Sequence, residues 1–240
     1  YEKESVIMYH ARFSGSHYEI DFRWGSQLAK HANYILNNIP FPITEERIRF
    51  AKDCLPIYQE YFPEILDEIR GIADGQECDV KLLQGLLFSI YAMPPACQCS
   101  CFAVSNKNTI MFGRNSDFLT AIEKNNLNVI YRFSSESFSF TGNTTAFVQM
   151  EDGVNEKGLA VGLTSIYPPS TRPGMNAGLL LRFFLEKCSS VDEVVSYMSK
   201  LPISSAQTFT VADVTGNLAV LESYCDRVIV LRPSKPIPFY

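Results

Sequence analysis

The stretch "MPPACQCSCFAVSNKNTIMFGRNSDF", Met93 to Phe118, decides how this chain is read. Two prolines close what precedes it. Three cysteines then alternate with other residues, and two β-type runs follow, joined by the polar turn from Ser105 to Asn108, as in a hairpin. In a strand, Cys97, Cys99 and Cys101 share one face. They could be a metal clamp, a disulfide partner set, small apolar core residues or a nucleophile.

Composition narrows the field. The chain has 240 residues, 46% hydrophobic and 20% charged, enough for one sizeable core in a single domain. A formal net charge of −5 argues against a broad nucleic-acid footprint. No apolar run approaches the roughly 20 residues that span a bilayer. Seven cysteines are an odd number and too sparse for a disulfide scaffold, so reduced thiols and a cytoplasmic setting are expected. The first residue, Tyr1, leaves room for a signal peptide removed earlier.

Outward from the cysteines, the N-terminal third reads as helical. A first helix is expected from His17 to about Asn37. A second starts after Thr44, with Glu45 and Glu46 in its first turn and Ile48, Ala51, Leu55 and Tyr58 on one face. Pro63 suits the first turn of a third, and Asp79 caps a fourth. Beyond the cysteines, "TTAFVQMEDGVNEKGLAVGLTSIY" reads as a second hairpin turning at Asn155 to Gly158, with Asn155 a turn residue only. "MNAGLLLRFFLEKC" is an apolar helix, and Ser190 with Glu193 forms a capping-box pattern opening another. Strands around Thr215-Gly216-Asn217 close the chain. Helices, hairpins, helices and strands in separate runs predict an α+β fold with antiparallel sheet. No phosphate-loop spacing occurs, so no nucleotide cofactor is expected.

The Cys-x-Cys-x-Cys spacing does not match the usual zinc pairs, and His10, His17 and His31 are distant and unspaced, so no metal is expected. Nothing selects a disulfide partner among Cys54, Cys78, Cys188 and Cys225. Core packing is the plain reading of the spacing. A Cys–His pair has little support, since all three histidines lie in the helical third. One thiol catalyst needs no histidine: an N-terminal cysteine whose own α-amine, of ordinary pKa about 7.7–8.0, serves as base. It requires cleavage just before the cysteine, and the helical leader ends at Pro94-Pro95.

At this point "CSCFAVSNKNTIMFGRNSDF" resembles the start of the catalytic chain in the N-terminal-nucleophile cysteine hydrolases. That group holds the isopenicillin N acyltransferase-like (peptidase C45-type) enzymes, the choloylglycine and penicillin V hydrolases and acid ceramidase. "GRNSDF" (Gly113 to Phe118) is the most specific piece, and it aligns Cys99 with the nucleophile. "GVNEKGLAVGLTSIY", "RPGMNAGLLLRFFLEKCSSVDEVV" and the leader-like "GSHYEIDFRWGSQL" extend the similarity over most of the chain, toward the acyltransferase-like branch.

The resemblance implies a four-layer αββα sandwich made as a zymogen that cleaves itself between Gln98 and Cys99. Residues 1–98 would then be a helical propeptide or α-subunit segment and 99–240 the catalytic segment, together one compact domain. It implies a hydrolase or acyltransferase of linear amides. Cys99 would be the nucleophile, Arg114 would favour its thiolate, Asp117 would orient the freed α-amine, and Ser165 would serve the oxyanion or substrate. The expected partner is a small acyl-amide, with water, an amine acceptor or acyl-CoA completing the reaction. The family's oxyanion asparagine follows the strand that matches residues 226–240, so a chain incomplete at its C-terminus is expected. The alternative is a non-catalytic binding protein on the same fold. For Arg114 and Asp117 the plain alternative is an exposed ion pair.

Overall fold

The computed structural model describes residues 9–39, 41–93, 98–117, 125–167 and 169–233. The leader opens with a strand, β1 (Tyr9–Gly15), followed by four helices: α1 (His17–Lys30), α2 (Glu45–Tyr61), α3 (Pro63–Gly75) and α4 (Val80–Ser89). Their starts follow from local chemistry. Ser16 and Glu19 form a reciprocal capping box on α1, Thr44 accepts from Arg47 N on α2, Pro63 takes the first turn of α3, and Asp79 accepts from Lys81 N on α4. The first helix stops at Lys30, short of the expected Asn37. The backbone then turns through Ala32 at φ 55°, and residues Ile35–Asn37 form a separate 3₁₀ turn.

Strands β2 (Gln98–Ser105) and β3 (Ile110–Asp117) make the expected hairpin. They are followed by β4 (Leu127–Phe133), β5 (Phe140–Thr144), β6 (Asp152–Asn155) and β7 (Ala160–Ser165). Helices α5 (Ala177–Lys187) and α6 (Val191–Met198) lead to β8 (Gln207–Ala212), β9 (Leu218–Ser223) and β10 (Val228–Leu231). Eight strands form one sheet in the order β1-β4-β5-β6-β7-β8-β9-β10, while β2 and β3 form a second, two-stranded sheet. The fold is α+β as expected. One pairing departs from the antiparallel expectation: β1 runs parallel to β4, with Tyr9 opposite Leu127. The four leader helices supply the long crossover that a parallel pair needs.

Helices cover one face of the large sheet and the β2–β3 hairpin lies on the other, so helix, sheet and sheet follow one another, three of the four layers of the sandwich expected. The core fills the helix–sheet layer, where Leu180, Phe184, Val161, Phe209 and Leu221 are all 0% exposed. Each such side chain contributes about 1.5–3 kcal/mol on burial. On the other face, a Cβ on Gly162 of β7 would lie 2.9 Å from Cys101 Sγ and from Phe112 Cζ. The missing side chain lets the hairpin sit directly on the sheet.

The leader is tied in by more than apolar packing. Arg182 of α5 is fully buried, donates to Glu68 of α3 at 2.5 Å and to Glu186 at 2.6 Å, and lies over the Tyr131 ring at 4.2 Å. His17 of α1 reaches Glu186 at 2.8 Å. His17, Glu68 and Glu186 bring metal-binding atom types within 4.8 Å, but the guanidinium already occupies the space between the carboxylates. Asp21 of α1 joins this cluster beside Glu68. Burial pushes its carboxyl up to about 7, and neither of its oxygens receives a hydrogen bond. A carboxyl that carries its own proton toward Glu68 has that pattern.

Asn155 does more than turn the chain. It is buried, accepts from Lys157 N and Leu159 N, and donates to Leu185 O at 2.9 Å and Cys188 O at 2.7 Å, stapling the hairpin to the end of α5. In the capping pattern of α6, Ser190 accepts from Glu193 N as expected, while the Glu193 carboxylate accepts from Ser189 N instead.

Candidate active site

Strand alternation sets which side chains of the hairpin look at the large sheet. Cys99 pairs with Ser116 and Cys101 with Arg114, and all four point inward, toward β6 and β7. Phe102, on the opposite face, is 52% exposed. Cys97 lies outside the described residues. Cys101 is half-buried under Gly162, and burial pushes its thiol up, away from reactivity.

Arg114 is held on every side. Its Nη2 donates to Cys99 Sγ at 3.4 Å, its Nε to Leu163 O at 2.8 Å, and its Nη1 to Glu151 Oε2 at 3.0 Å. Asp152 Oδ2 lies 3.7 Å from Nη1. The Arg114 and Glu151 side chains are only 4% and 7% exposed. Burial works against the guanidinium charge, but Glu151, Cys99 and Asp152 outweigh it and hold the pKa above the ordinary arginine value. A fixed cation therefore faces the Cys99 sulfur in a largely dry setting.

Glu151 is the hub. Its Oε2 accepts from Arg114 and from Ser116 Oγ at 3.0 Å, and its Oε1 from Thr145 Oγ1 at 2.5 Å and Tyr91 OH at 3.4 Å. Beside it, a row of polar side chains crosses four strands in register: His10, Asn128, Asn143 and Asp152. Asn143 Nδ2 donates to Asp152 Oδ1 at 2.6 Å and Asn128 Nδ2 to Asn143 Oδ1 at 2.9 Å. Asn128 Oδ1 faces His10 Nδ1 at 2.7 Å, so the imidazole donates. Every donor points the same way, toward Asp152, whose carboxyl burial pushes up in spite of Asn143 and Arg114. Asn128, Asn143 and Asp152 of this row floor a groove of about 520 Å³ that runs along β3, walled by Ile110, Phe112 and Val154 and ending at Arg114.

Of the expected site residues, Cys99 and Arg114 come together. Asp117 does not share their face. It ends β3, is exposed, and lies opposite Gln98, next to the peptide bond that precedes Cys99. The exposed Arg114–Asp117 pair is therefore overturned: the arginine is buried and its carboxylates are Glu151 and Asp152. Ser165 ends β7 opposite Gln207, two residues beyond the Leu163 carbonyl that accepts from Arg114. Phe118, the last residue of the "GRNSDF" motif, lies outside the described residues. Glu151 was not legible as a site residue, because in "QMEDGVN" it reads as the polar lead-in to a turn. No helix among the described residues is long and apolar enough to cross a membrane.

Residues 104–232 match the family described as Acyl-coenzyme A:6-aminopenicillanic acid acyl-transferase, more than half of the chain. Among solved structures, penicillin V acylase from Agrobacterium tumefaciens is similar at 24% identity and a TM-score of 0.34, over 40% of this chain and 33% of that one. Two variants of conjugated bile acid hydrolase from Clostridium perfringens are also similar. One has 21% identity and a TM-score of 0.36, over 40% of this chain and 36% of that one. The other has 18% identity and a TM-score of 0.46, over 57% of this chain and 51% of that one. The chain thus spans about a third to a half of the length of these structures.

Proposed function

The chain belongs to the acyl-coenzyme A:6-aminopenicillanic acid acyl-transferase family, and on that premise we propose that it is a self-processing amidohydrolase or acyltransferase of the N-terminal-nucleophile type, working through Cys99. The observation that carries this reading is the buried Arg114 guanidinium, locked by Glu151 and Leu163 O, 3.4 Å from the Cys99 sulfur. Few structural needs are met by burying a cation against a thiol, while a nucleophilic thiol gains directly from it.

In processing, the Cys99 thiolate attacks the Gln98 carbonyl carbon. The Gln98–Cys99 C–N bond breaks, the Cys99 nitrogen takes a proton, and Gln98 is left as a thioester. Water then hydrolyses the thioester, releasing the Gln98 carboxylate and the thiol. The product carries a free α-amine on Cys99, which can act as base and acid in turnover. Asp117 holds that amine in this reading, which its register opposite Gln98 supports. In turnover the thiol takes the acyl group of a small amide substrate, the leaving amine departs with a proton, and water or an acceptor amine resolves the acyl-thioester. Ser165 serves as the oxyanion or substrate contact. The groove along β3, with Ile110, Phe112 and Val154 as walls, suits an apolar acyl group.

Two measurements test this. A denaturing gel of wild-type protein should show fragments 1–98 and 99–240, and Cys99→Ala should remain whole. Mass spectrometry after a thiol-directed electrophile should find the label on Cys99 and retain it in Cys101→Ala. Wild-type protein that hydrolyses amides while staying whole would remove the processing step, and a label found only on Cys101 would remove the nucleophile.

A further inference from the structure

Residues 87–93, upstream of the proposed cleavage point, have most of their carbonyls tied down by side chains. A helix end commonly satisfies its last carbonyls with a local cap. At the end of α4, Leu86 O and Ser89 O are capped locally, but Leu87 O and Phe88 O take their donors from distant side chains. Gln149 Nε2 and Asn176 Nδ2 both donate to Leu87 O at 2.6 Å, and Asn176 Nδ2 also reaches Phe88 O at 3.2 Å. Beyond the helix, Ser205 Oγ donates to Tyr91 O at 2.9 Å, Thr171 Oγ1 to Ala92 O at 3.2 Å, and Arg47 Nη2 to Met93 O at 3.2 Å. Arg47 Nη1 meanwhile holds Ser89 Oγ at 2.7 Å. Tyr91 adds its own hydroxyl to Glu151, the carboxylate that locks Arg114.

The origin of the donors points to their purpose. Gln149, Asn176, Thr171 and Ser205 all belong to the segment after Cys99, and the carbonyls they hold all belong to the leader before it. Stabilising the helix alone would need only local donors. Holding residues 87–93 in fixed relation to β2, which begins at Gln98, needs donors from the catalytic side.

We propose that this array is a positioning clamp for self-cleavage, with Thr171 and Ser205 as positioning residues that act through the Tyr91 and Ala92 carbonyls. The proposal rests on the processing step described above. Fixing the leader's end keeps the Gln98 carbonyl within reach of the Cys99 thiol, and displacements of about 1 Å in such an arrangement cost up to about a hundredfold in rate. Neither residue touches Cys99, Arg114 or Glu151, so turnover by protein already cleaved does not depend on them.

The test follows the appearance of fragments 1–98 and 99–240 over time in cell-free synthesis. Wild type is compared with Thr171→Val, Thr171→Ser and the double variant Thr171→Val/Ser205→Ala. The double variant should cleave about ten- to a hundredfold more slowly, and Thr171→Ser, which keeps the hydroxyl, at the wild-type rate. Turnover per cleaved molecule should be unchanged in all of them. Thr171 is exposed, so the single valine variant folds and gives a reading even if the double variant does not. If wild type cleaves and Thr171→Val and the double variant keep pace with it, the clamp is refuted while the processing mechanism stands. A parallel loss of turnover per cleaved molecule also refutes it, since that marks a general structural role. A wild-type chain that never cleaves removes both readings together.

Discussion

Removing the Arg114–Glu151 pair one partner at a time, and then both, separates its structural weight from its chemical one. In Glu151→Leu the guanidinium keeps Leu163 O and retains Asp152 at 3.7 Å, so its charge is partly met. Breaking a buried pair costs about 3–5 kcal/mol, and this residual partner places the loss near 3 kcal/mol. For a chain of this size that lowers the melting temperature by roughly 6–12 °C. Arg114→Met leaves Glu151 and Asp152 side by side without their cation and should cost at least as much. The double variant Arg114→Met/Glu151→Leu replaces both charges with apolar groups and should return to within about 1–2 kcal/mol of wild type. Reactivity should not return with stability. Without the cation, alkylation of Cys99 near neutral pH should slow about tenfold in Arg114→Met and in the double variant alike. Thermal melts and timed alkylation of the four proteins complete the cycle. Additive losses in stability would refute the coupling, and a double variant alkylated at the wild-type rate would refute the role given to Arg114.

Two further predictions concern other parts of the molecule. Burial raises the folded-state carboxyl of Asp21 to about 7, against about 3.9 in an unfolded chain, so the folded state binds its proton more tightly. The resulting stability is fully present below about pH 4 and is lost as pH rises toward 7, by up to about 1.4 kcal/mol per unit. Melting temperature should fall from pH 5 to pH 8 in wild type and fall less in Asp21→Asn; a wild-type rise over that range would contradict the shared proton. Gly162→Ala should press a methyl group against Cys101 and Phe112, both 2.9 Å away, at a cost of about 1–3 kcal/mol. It should loosen the hairpin enough to slow Cys99 alkylation, and unchanged melting and alkylation would show that the hairpin yields freely.

What the sequence shows and hides follows from the range of the interactions. Thr44, Pro63 and Asp79 mark helix starts because a cap is a matter of three or four neighbouring residues. The β2–β3 hairpin and the turn ending at Gly158, where φ is 78°, are equally local. Strand β1 escapes that reading because its partner, β4, lies more than a hundred residues away and parallel pairing leaves no turn signal. Strands β4 and β5 also go unread, although their pairing with one another is local. The proposed site divides the same way. Cys99 and Arg114 are marked by a motif within one hairpin. Glu151 is defined by burial and by donors from Tyr91, Arg114, Ser116 and Thr145, none of which a glutamate in a polar stretch announces.

The parallel strand at the edge of the sheet binds the histories of the two halves of the chain together. The leader contributes β1 to the large sheet, and its Glu68 answers a fully buried arginine on α5. Severing the backbone between the halves would therefore not make them independent. Released alone, the later half would present an uncovered sheet edge at β4, a feature that promotes aggregation, and its buried Arg182 would keep Glu186 but lose Glu68. The two halves should therefore be inherited, expressed and replaced as one unit, whether or not a peptide bond joins them.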